Sequence, residues 1–161
     1  MTSRPWHIQR LPTLVGIVLV LFGRSAGAQA TSVDEERAIR QVLTRFYDAW
    51  NANDVDRMVS VYAEDIDHIN VFGEWHKGKV AIAEDLRLLH GGKKTRPDGS
   101  VAPAGRKTHE VEKLRLLKPD VAVVQVRSLS SGCNIGTYVM TKSGGQWLVT
   151  SFTNVGCGLS R

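Results

Sequence analysis

The sequence predicts an α+β fold, with helices packed on one face of an antiparallel sheet. Helical periodicity is confined to the part of the chain before His90, and strand-like segments separated by short turns follow Thr108. A chain in which the helices precede the strands is typical of this class, because the two kinds of element then form separate layers. The composition, with 42% hydrophobic and 23% charged residues, is that of a folded domain.

Residues 1–30 are predicted to be a secretory signal peptide. They contain no acidic residue, and two arginines precede an uncharged, mostly apolar stretch from Leu11 to Phe22. Ala28-Gln29-Ala30 supplies the small residues of a cleavage site. An uncleaved membrane anchor is the alternative, although a bilayer span needs about 20 apolar residues. We therefore expect residues 31–161 to form one mature domain that is periplasmic or secreted.

The net charge depends on this cleavage. The full chain carries +5, which favours anionic partners such as nucleic acid. Three of its basic residues lie in the signal peptide, so the mature domain is only about +2. Its one cationic cluster lies in a Gly- and Pro-rich loop without interleaved aromatic residues, and we interpret it as a solvated loop. We expect no nucleic-acid partner, and no membrane contact after cleavage. The cluster consists of Lys93, Lys94, Arg96, Arg106 and Lys107.

Three helices are predicted in the first half of the mature chain. Ser32-Val33-Asp34-Glu35 is a capping box, and the apolar stripe after it ends near Asn51–Asn53. Asp54 is predicted to cap a short second helix, with Tyr62 among its inward residues. The third helix is predicted over Lys79–His90. The apolar stripe of the first helix comprises Ile39, Val42, Leu43, Phe46 and Trp50.

Five strands are predicted around one long loop. Ile66–Phe72 reads as the first strand, and Gly73–Gly78 as a turn. Gly91–Lys107 is predicted to be a loop, and a loop of this length is often functional. The remaining predicted strands are Thr108–Leu117, Val121–Leu129, Ile135–Thr141 and Trp147–Asn154.

The two cysteines, Cys133 and Cys157, are predicted to form a disulfide, as is common in exported proteins. If the last two strands form a hairpin around Ser143–Gln146, Cys133 faces residue 156, one place from Cys157. Two free thiols are the alternative.

Several segments resemble the nuclear transport factor 2-like superfamily, and within it the SnoaL-like and SgcJ/EcaC-type bacterial proteins. The resemblance implies a cone-shaped α+β fold, with three helices on a strongly curved, mostly antiparallel sheet around one apolar pocket. It also implies a homodimer. Superfamily members include isomerases, cyclases, dehydratases, epoxide hydrolases and binding domains, so the fold does not settle the function. The segments are Phe46–Asp54, Val61–Asp65, Val71–Gly73, Gly78–Ile82, Gly145–Val149 and Phe152–Asn154.

The chain also resembles ketosteroid isomerase around Tyr62–Asp65. Counting from this segment places the isomerase's general-base aspartate on Asn70, and counting back from Asp54 places its oxyanion-hole tyrosine on Phe46. An amide is no base near neutral pH, and phenylalanine has no hydroxyl group to donate. Steroid isomerisation by that route is therefore not expected.

His68 is the candidate catalytic residue. Strand alternation puts it on one face with Asn70, which the resemblance places in the pocket. There His68 can contact a ligand or act as a general base, and a base needs an orienting group. The candidates for that group are Asp48, Asp65 and His109. The alternative is a structural histidine held by a backbone carbonyl.

Other predicted ligand-binding residues are Trp50 and Tyr62 on the pocket wall, Trp75 at its mouth and Asn154 at the end of the last strand. Core packing is the alternative for the first two, and a bond to a neighbouring loop is the alternative for Asn154. We expect no metal site and no cofactor, because neither zinc-ligand spacing nor a phosphate-binding motif occurs in the mature domain.

Three functions agree with these features. The first is an exported domain that binds a small, mostly apolar molecule. The second is a cofactor-independent cyclase, isomerase or hydrolase with His68 as its base. The third is a dimeric interaction module without catalysis. The first two need a cavity of about 300 Å³ or more, and a filled core would leave the third.

Overall fold

The computed structural model describes residues 26–102, 104–129 and 132–157, and it has the predicted α+β architecture. Three helices pack against one six-stranded, curled sheet. The helices are α1 (Ala26–Asn51), α2 (Val55–Val59) and α3 (Lys79–His90). The strands are β1 (Tyr62–Ile69), β2 (Trp75–Lys77), β3 (Thr108–Lys118), β4 (Val121–Leu129), β5 (Cys133–Ser143) and β6 (Gln146–Gly156).

The sheet is mostly antiparallel, with the strand order β2-β1-β6-β5-β4-β3. Among the described strands, the one parallel pairing joins β1 to β6, and it brings the first strand beside the last. The inner face of the sheet packs on α1 and α3, because alternate residues of β4 and β5 are buried and most of them are apolar. Among the side chains at the centre of this core are Ile39, Leu43, Val124, Val126 and Met140.

Helix α1 begins at Ala26, so the prediction of a capping box at Ser32 is wrong for the chain as described. Ala26, Ala28 and Ala30 have high helix propensity and extend the helix backwards. Most of the predicted signal peptide, residues 1–25, lies outside the described residues, and cleavage after Ala30 stays a prediction. No helix in the described part of the chain is long and apolar enough to cross a membrane.

Asp54 caps α2 as predicted, and its carboxylate accepts a hydrogen bond of 3.0 Å from the backbone N–H of Arg57. The placement of Tyr62 in this helix is wrong, because Tyr62 begins β1. The backbone N–H of Val149 in β6 donates to the carbonyl of Val61 over 2.9 Å. Pairing with β6 therefore draws the chain into the sheet immediately after α2.

The third helix coincides with the prediction, but the turn predicted before it contains a strand. Trp75–Lys77 pairs with β1 in an antiparallel arrangement that sets His76 opposite His68. Three residues are too few to show a strand pattern in the sequence, and this one exists only through its pairing.

A bulge in the β5–β6 hairpin aligns the two cysteines. Near the turn the strands pair in the predicted register, but Met140 faces Val149 whereas Val139 faces Ser151. The extra residue in β6 shifts the pairing by one place, so Cys133 meets Cys157 rather than residue 156. The two residues form a disulfide, with their Cα atoms 5.3 Å apart.

The loop between α3 and β3 turns inward. It contains an isolated bridge between Thr95 and Val101, and Ala102 is 2% exposed. The prediction of a solvated cationic loop is wrong for Lys94, which is only 9% exposed, and for Lys107, which is half-buried. A backbone bond of 2.7 Å from the N–H of Ala102 to the carbonyl of Lys94 closes the loop on itself, and the N–H of Lys93 donates to the carbonyl of Leu88 in α3 over 2.8 Å.

Candidate ligand-binding site

A cavity of about 260 Å³ opens between α1, α3, the inward loop and the inner face of the sheet. It lies slightly below the range of about 300–1,000 Å³ that is usual for ligand pockets. Five of the six predicted ligand-binding residues line it. They are Trp50, Tyr62, His68, Asn70 and Asn154.

Aromatic rings form much of the wall. Phe46 lies between Trp50 and Tyr62, with ring centroids 6.2 Å and 5.8 Å away. Phe46 and Trp50 lie four residues apart on α1, so one face of the helix presents both rings to the cavity, and Tyr62 adds a third ring from β1. Such a wall favours an apolar ligand.

His68 lines the cavity as a neutral ring. It is 7% exposed and stacks on Phe152, with the centroids 4.8 Å apart. Burial, together with the charges of His76 and Lys107, lowers the pKa of His68 to about 4. Its Nδ1 atom is buried and has no hydrogen-bond partner among the described residues.

None of the predicted orienting groups contacts His68. Within the described residues no hydrogen bond joins it to Asp48, Asp65 or His109, and His109 instead stacks on Tyr47 at 4.3 Å. A histidine with so low a pKa is a weak base. The geometry therefore favours a contact role for His68 over a catalytic one.

Asn70 lines the cavity, but its amide group is already engaged in the turn between β1 and β2. Its Oδ1 accepts from the backbone N–H groups of Phe72 at 3.0 Å and Glu74 at 3.1 Å. Its Nδ2 donates to the Glu74 carboxylate over 2.6 Å. This network organises the turn and leaves the amide little capacity for a ligand.

Trp75 lies outside the cavity, contrary to the prediction. Its side chain is 58% exposed, and its Nε1 donates to Asp67 over 2.8 Å. The residue is part of β2, and alternation along this strand turns the ring away from His76, which is half-buried. The cation of Lys77 lies 4.5 Å from the ring centroid on the same outer surface.

Asn154 faces the cavity from β6, opposite Gly136 of β5.

The absence of a side chain at Gly136 makes room for the ring of Phe152. A Cβ atom there would lie 2.7 Å from Cε2 of Phe152. Gly136 therefore allows the position of the ring on which His68 stacks.

Sequence reasoning missed Lys107 as a cavity residue. Its ammonium group lies 3.5 Å from the centroid of the Trp50 ring. Asn51 holds the backbone of Lys107 through two hydrogen bonds of 2.8 Å, one donated and one accepted by the amide. Burial lowers the pKa of Lys107 to about 8. The signal available in the sequence was a run of cations in a loop that also carries Ala and Val.

A second missed feature is a group of hydroxyls deep in the cavity. The hydroxyl groups of Tyr47 and Tyr138 lie 3.1 Å apart, and Ser128 also lines the cavity. Burial raises the pKa of Tyr47, so its hydroxyl stays protonated and can donate to a ligand.

Glu74, His76 and Asp85 bring three potential metal-ligand atoms within 4.8 Å of one another. Lys94, however, forms ion pairs with both carboxylates, and His76 Nε2 is 3.7 Å from each of them. The lysine therefore supplies the positive charge that these carboxylates need, so the residues fit an internal ion-pair network better than a metal site.

The comparisons with known proteins agree with the fold. The model of the SnoaL-like domain family matches residues 43–127, more than half of the chain. The chain belongs to the SnoaL-like domain family. No curated protein sequence matches it.

Solved structures show the fold of this SnoaL-like domain in other bacterial proteins. A nuclear transport factor 2-like protein of unknown function from Shewanella oneidensis is 18% identical, with 75% of this chain and 98% of that chain covered and a TM-score of 0.63. A ketosteroid isomerase-like protein from Erwinia carotovora atroseptica is 14% identical, with coverage of 76% and 96% and a TM-score of 0.62. A protein of unknown function from Mycobacterium tuberculosis is 17% identical, with coverage of 85% and 80% and a TM-score of 0.68. The family match and the shared fold together confirm the predicted superfamily, and the SgcJ/EcaC subtype stays a prediction.

Proposed function

We propose that this SnoaL-like domain is an exported small-molecule-binding domain, and that its cavity takes a mostly apolar ligand with a few polar groups. The observation that carries the proposal is the cavity of about 260 Å³, lined by aromatic rings and by the buried, neutral His68. A filled core would have favoured an interaction module, because such a module needs no interior space. The modest volume selects a small ligand.

Native mass spectrometry of the protein purified from its own host tests this function. We expect a bound small molecule that is released on denaturation, and the same spectrum reports whether the protein is a homodimer. A native mass equal to that of the protein alone, together with no binding in a screen of small apolar compounds, would contradict the proposal. His68→Ala is expected to weaken binding while the domain stays folded, and unchanged affinity would exclude His68 as a contact.

The enzyme alternative uses the same cavity, with His68 as general base. A pKa of about 4 and the lack of an orienting carboxylate among the described residues both disfavour it. If the protein turns over a ligand and this alternative is correct, His68→Gln should abolish the turnover. An active variant would exclude His68 as the base.

Export rests on the predicted signal peptide and agrees with the disulfide. N-terminal sequencing of the exported protein should begin at Thr31, and a chain that keeps its first residues would support the anchor alternative. We also propose a homodimer formed through the outer face of the sheet, where Val123, Val139 and Leu148 are only half-buried.

A further inference from the structure

Resting on this proposed function, we infer that the ligand is a small apolar monocarboxylate. Its carboxylate would lie against the ammonium group of Lys107, and its apolar part against the rings of Trp50 and Phe46.

The charges on the cavity wall favour an anion. Among the residues that the structure describes, four charged side chains line the cavity: Asp85, Lys94, Arg96 and Lys107. Lys94 and Asp85 pair with each other. Of the remaining two cations, Arg96 donates a hydrogen bond of 3.0 Å to the Ser100 hydroxyl group. Hydrogen bonds from Ser100 and the positive charge of Arg96 lower the pKa of the nearby Asp98.

Among the described cavity residues, Lys107 is the cation whose charge no acidic side chain balances. No carboxylate of the described residues pairs with its Nζ, and burial is the one influence that shifts its pKa. A half-buried charge without a counter-ion is costly, and an anionic ligand would remove that cost. The ring of Trp50 takes only one side of an ammonium group that has three N–H donors.

The position of Lys107 is built into the fold rather than left to a free side chain. Asn51 accepts from the backbone N–H of Lys107 and donates to its carbonyl, and Trp50 Nε1 donates to the carbonyl of Gly105 over 2.9 Å. Two consecutive residues at the end of α1 thus fix the segment that carries the cation. Such preorganisation lowers the entropic cost of binding a charged group.

A carboxylate fits this site better than a phosphate group. One lysine supplies a single point charge, whereas phosphate carries close to two negative charges at neutral pH and is usually matched by several donors or an arginine fork. The neighbouring histidines, His68 and His90, both have lowered pKa values and add no positive charge near pH 7.

Isothermal titration calorimetry at pH 6.5 with three probes tests the inference. The probes are 3-phenylpropanoate, its neutral amide and 2-phenylethyl phosphate. The carboxylate is expected to bind the wild-type domain about tenfold or more tighter than the amide, as a charge-assisted hydrogen bond would provide. In Lys107→Met the preference should disappear. Lys77→Met is the matched control, because Lys77 also lies over a tryptophan ring, but outside the cavity.

Each other result has a distinct meaning. Equal affinity for the acid and the amide in the wild type would overturn the carboxylate inference and leave the binding function standing. Tighter binding of the phosphate would also overturn it. A preference that survives in Lys107→Met would exclude Lys107 as its source. Failure of all three probes to bind would overturn the carboxylate inference, whereas the binding function itself is tested separately by the native mass spectrum.

The pH dependence of the wild-type domain gives an answer that needs no variant. The charge of Lys107 helps to lower the pKa of two histidines, His68 on β1 and His90 on α3. Both rings are neutral above pH 6.5. Arg96 stays charged and Lys94 stays paired with Asp85. Affinity for 3-phenylpropanoate should therefore be highest near pH 6.5 and fall as the pH passes through 8, where Lys107 loses its proton. Constant affinity up to pH 10 would overturn the inference.

Discussion

The ammonium group of Lys107 lies 3.5 Å from the centroid of the Trp50 ring, on the wall of the cavity. The contact joins the end of α1 to the residue just before β3, and the neighbouring Asn51 fixes it through two backbone hydrogen bonds. It places a cation among aromatic rings without an acidic partner in the described part of the chain. The domain thus keeps a charge at its cavity that costs stability, and this cost can be measured.

Lys107→Met should change how stability depends on pH. The folded state lowers the pKa of Lys107 to about 8, whereas the unfolded chain keeps about 10.5. Between these values the unfolded chain binds more protons, so the wild-type free energy of unfolding should rise with pH. Urea unfolding at pH 7.5 and pH 10 should show a rise of about 1–3 kcal/mol that the variant lacks. Lys77→Met should keep the rise, and an equal slope in Lys107→Met would contradict the burial of this charge.

His68 should make the domain sensitive to acid. Its pKa is about 4 in the folded state, and the unfolded chain takes up the proton near pH 6.5. The contribution of neutral His68 to the free energy of unfolding is therefore fully present above pH 6.5. It decreases as the pH falls towards 4, by at most about 3 kcal/mol. His68→Gln should lose less stability than the wild type between pH 7 and pH 4.5, measured by chemical unfolding. Parallel losses in both proteins would show that His68 is not buried as a neutral ring.

Gly136→Ala should disturb the wall of the cavity. The new methyl group would lie 2.7 Å from Phe152, so the ring that supports His68 must move. Overpacking of this kind costs about 1–3 kcal/mol. Gly156→Ala on the paired strand is the control, because its Cβ would meet nothing within 4 Å. Equal melting temperatures for the two variants would contradict the close approach at Gly136.

Removal of the disulfide should destabilise the domain. The bond between Cys133 and Cys157 closes a loop with a sequence separation of 24, for which the loss of chain entropy corresponds to about 3 kcal/mol. The double variant to serine should lower the free energy of unfolding by this amount. Thiol titration of the unreduced, denatured protein checks the pairing itself, because two reactive thiols would show that no bond had formed.

The elements that sequence reasoning predicted well are those with a local signal. Helix α3 has a clear apolar stripe, and strand alternation placed His68 on the inner face. The features it missed depend on contacts between distant segments. The β2 strand that carries Trp75 exists through its pairing with β1, and the bulge near Thr150 is a property of two paired strands. The inward position of Lys107 requires Asn51, which is remote in sequence, and composition alone indicated a solvated loop.

The most direct test of the ligand-binding cavity is a ¹H–¹⁵N chemical-shift titration of the mature domain with 3-phenylpropanoate. The indole N–H of Trp50 and the backbone amides of His68 and Lys107 should shift together and saturate. The indole signals of Trp75, on the outer surface, and Trp147, packed against Glu35, are internal controls that should stay in place. Shifts confined to Trp75 and its surroundings, or no saturable shift at all, would contradict a ligand site in the cavity.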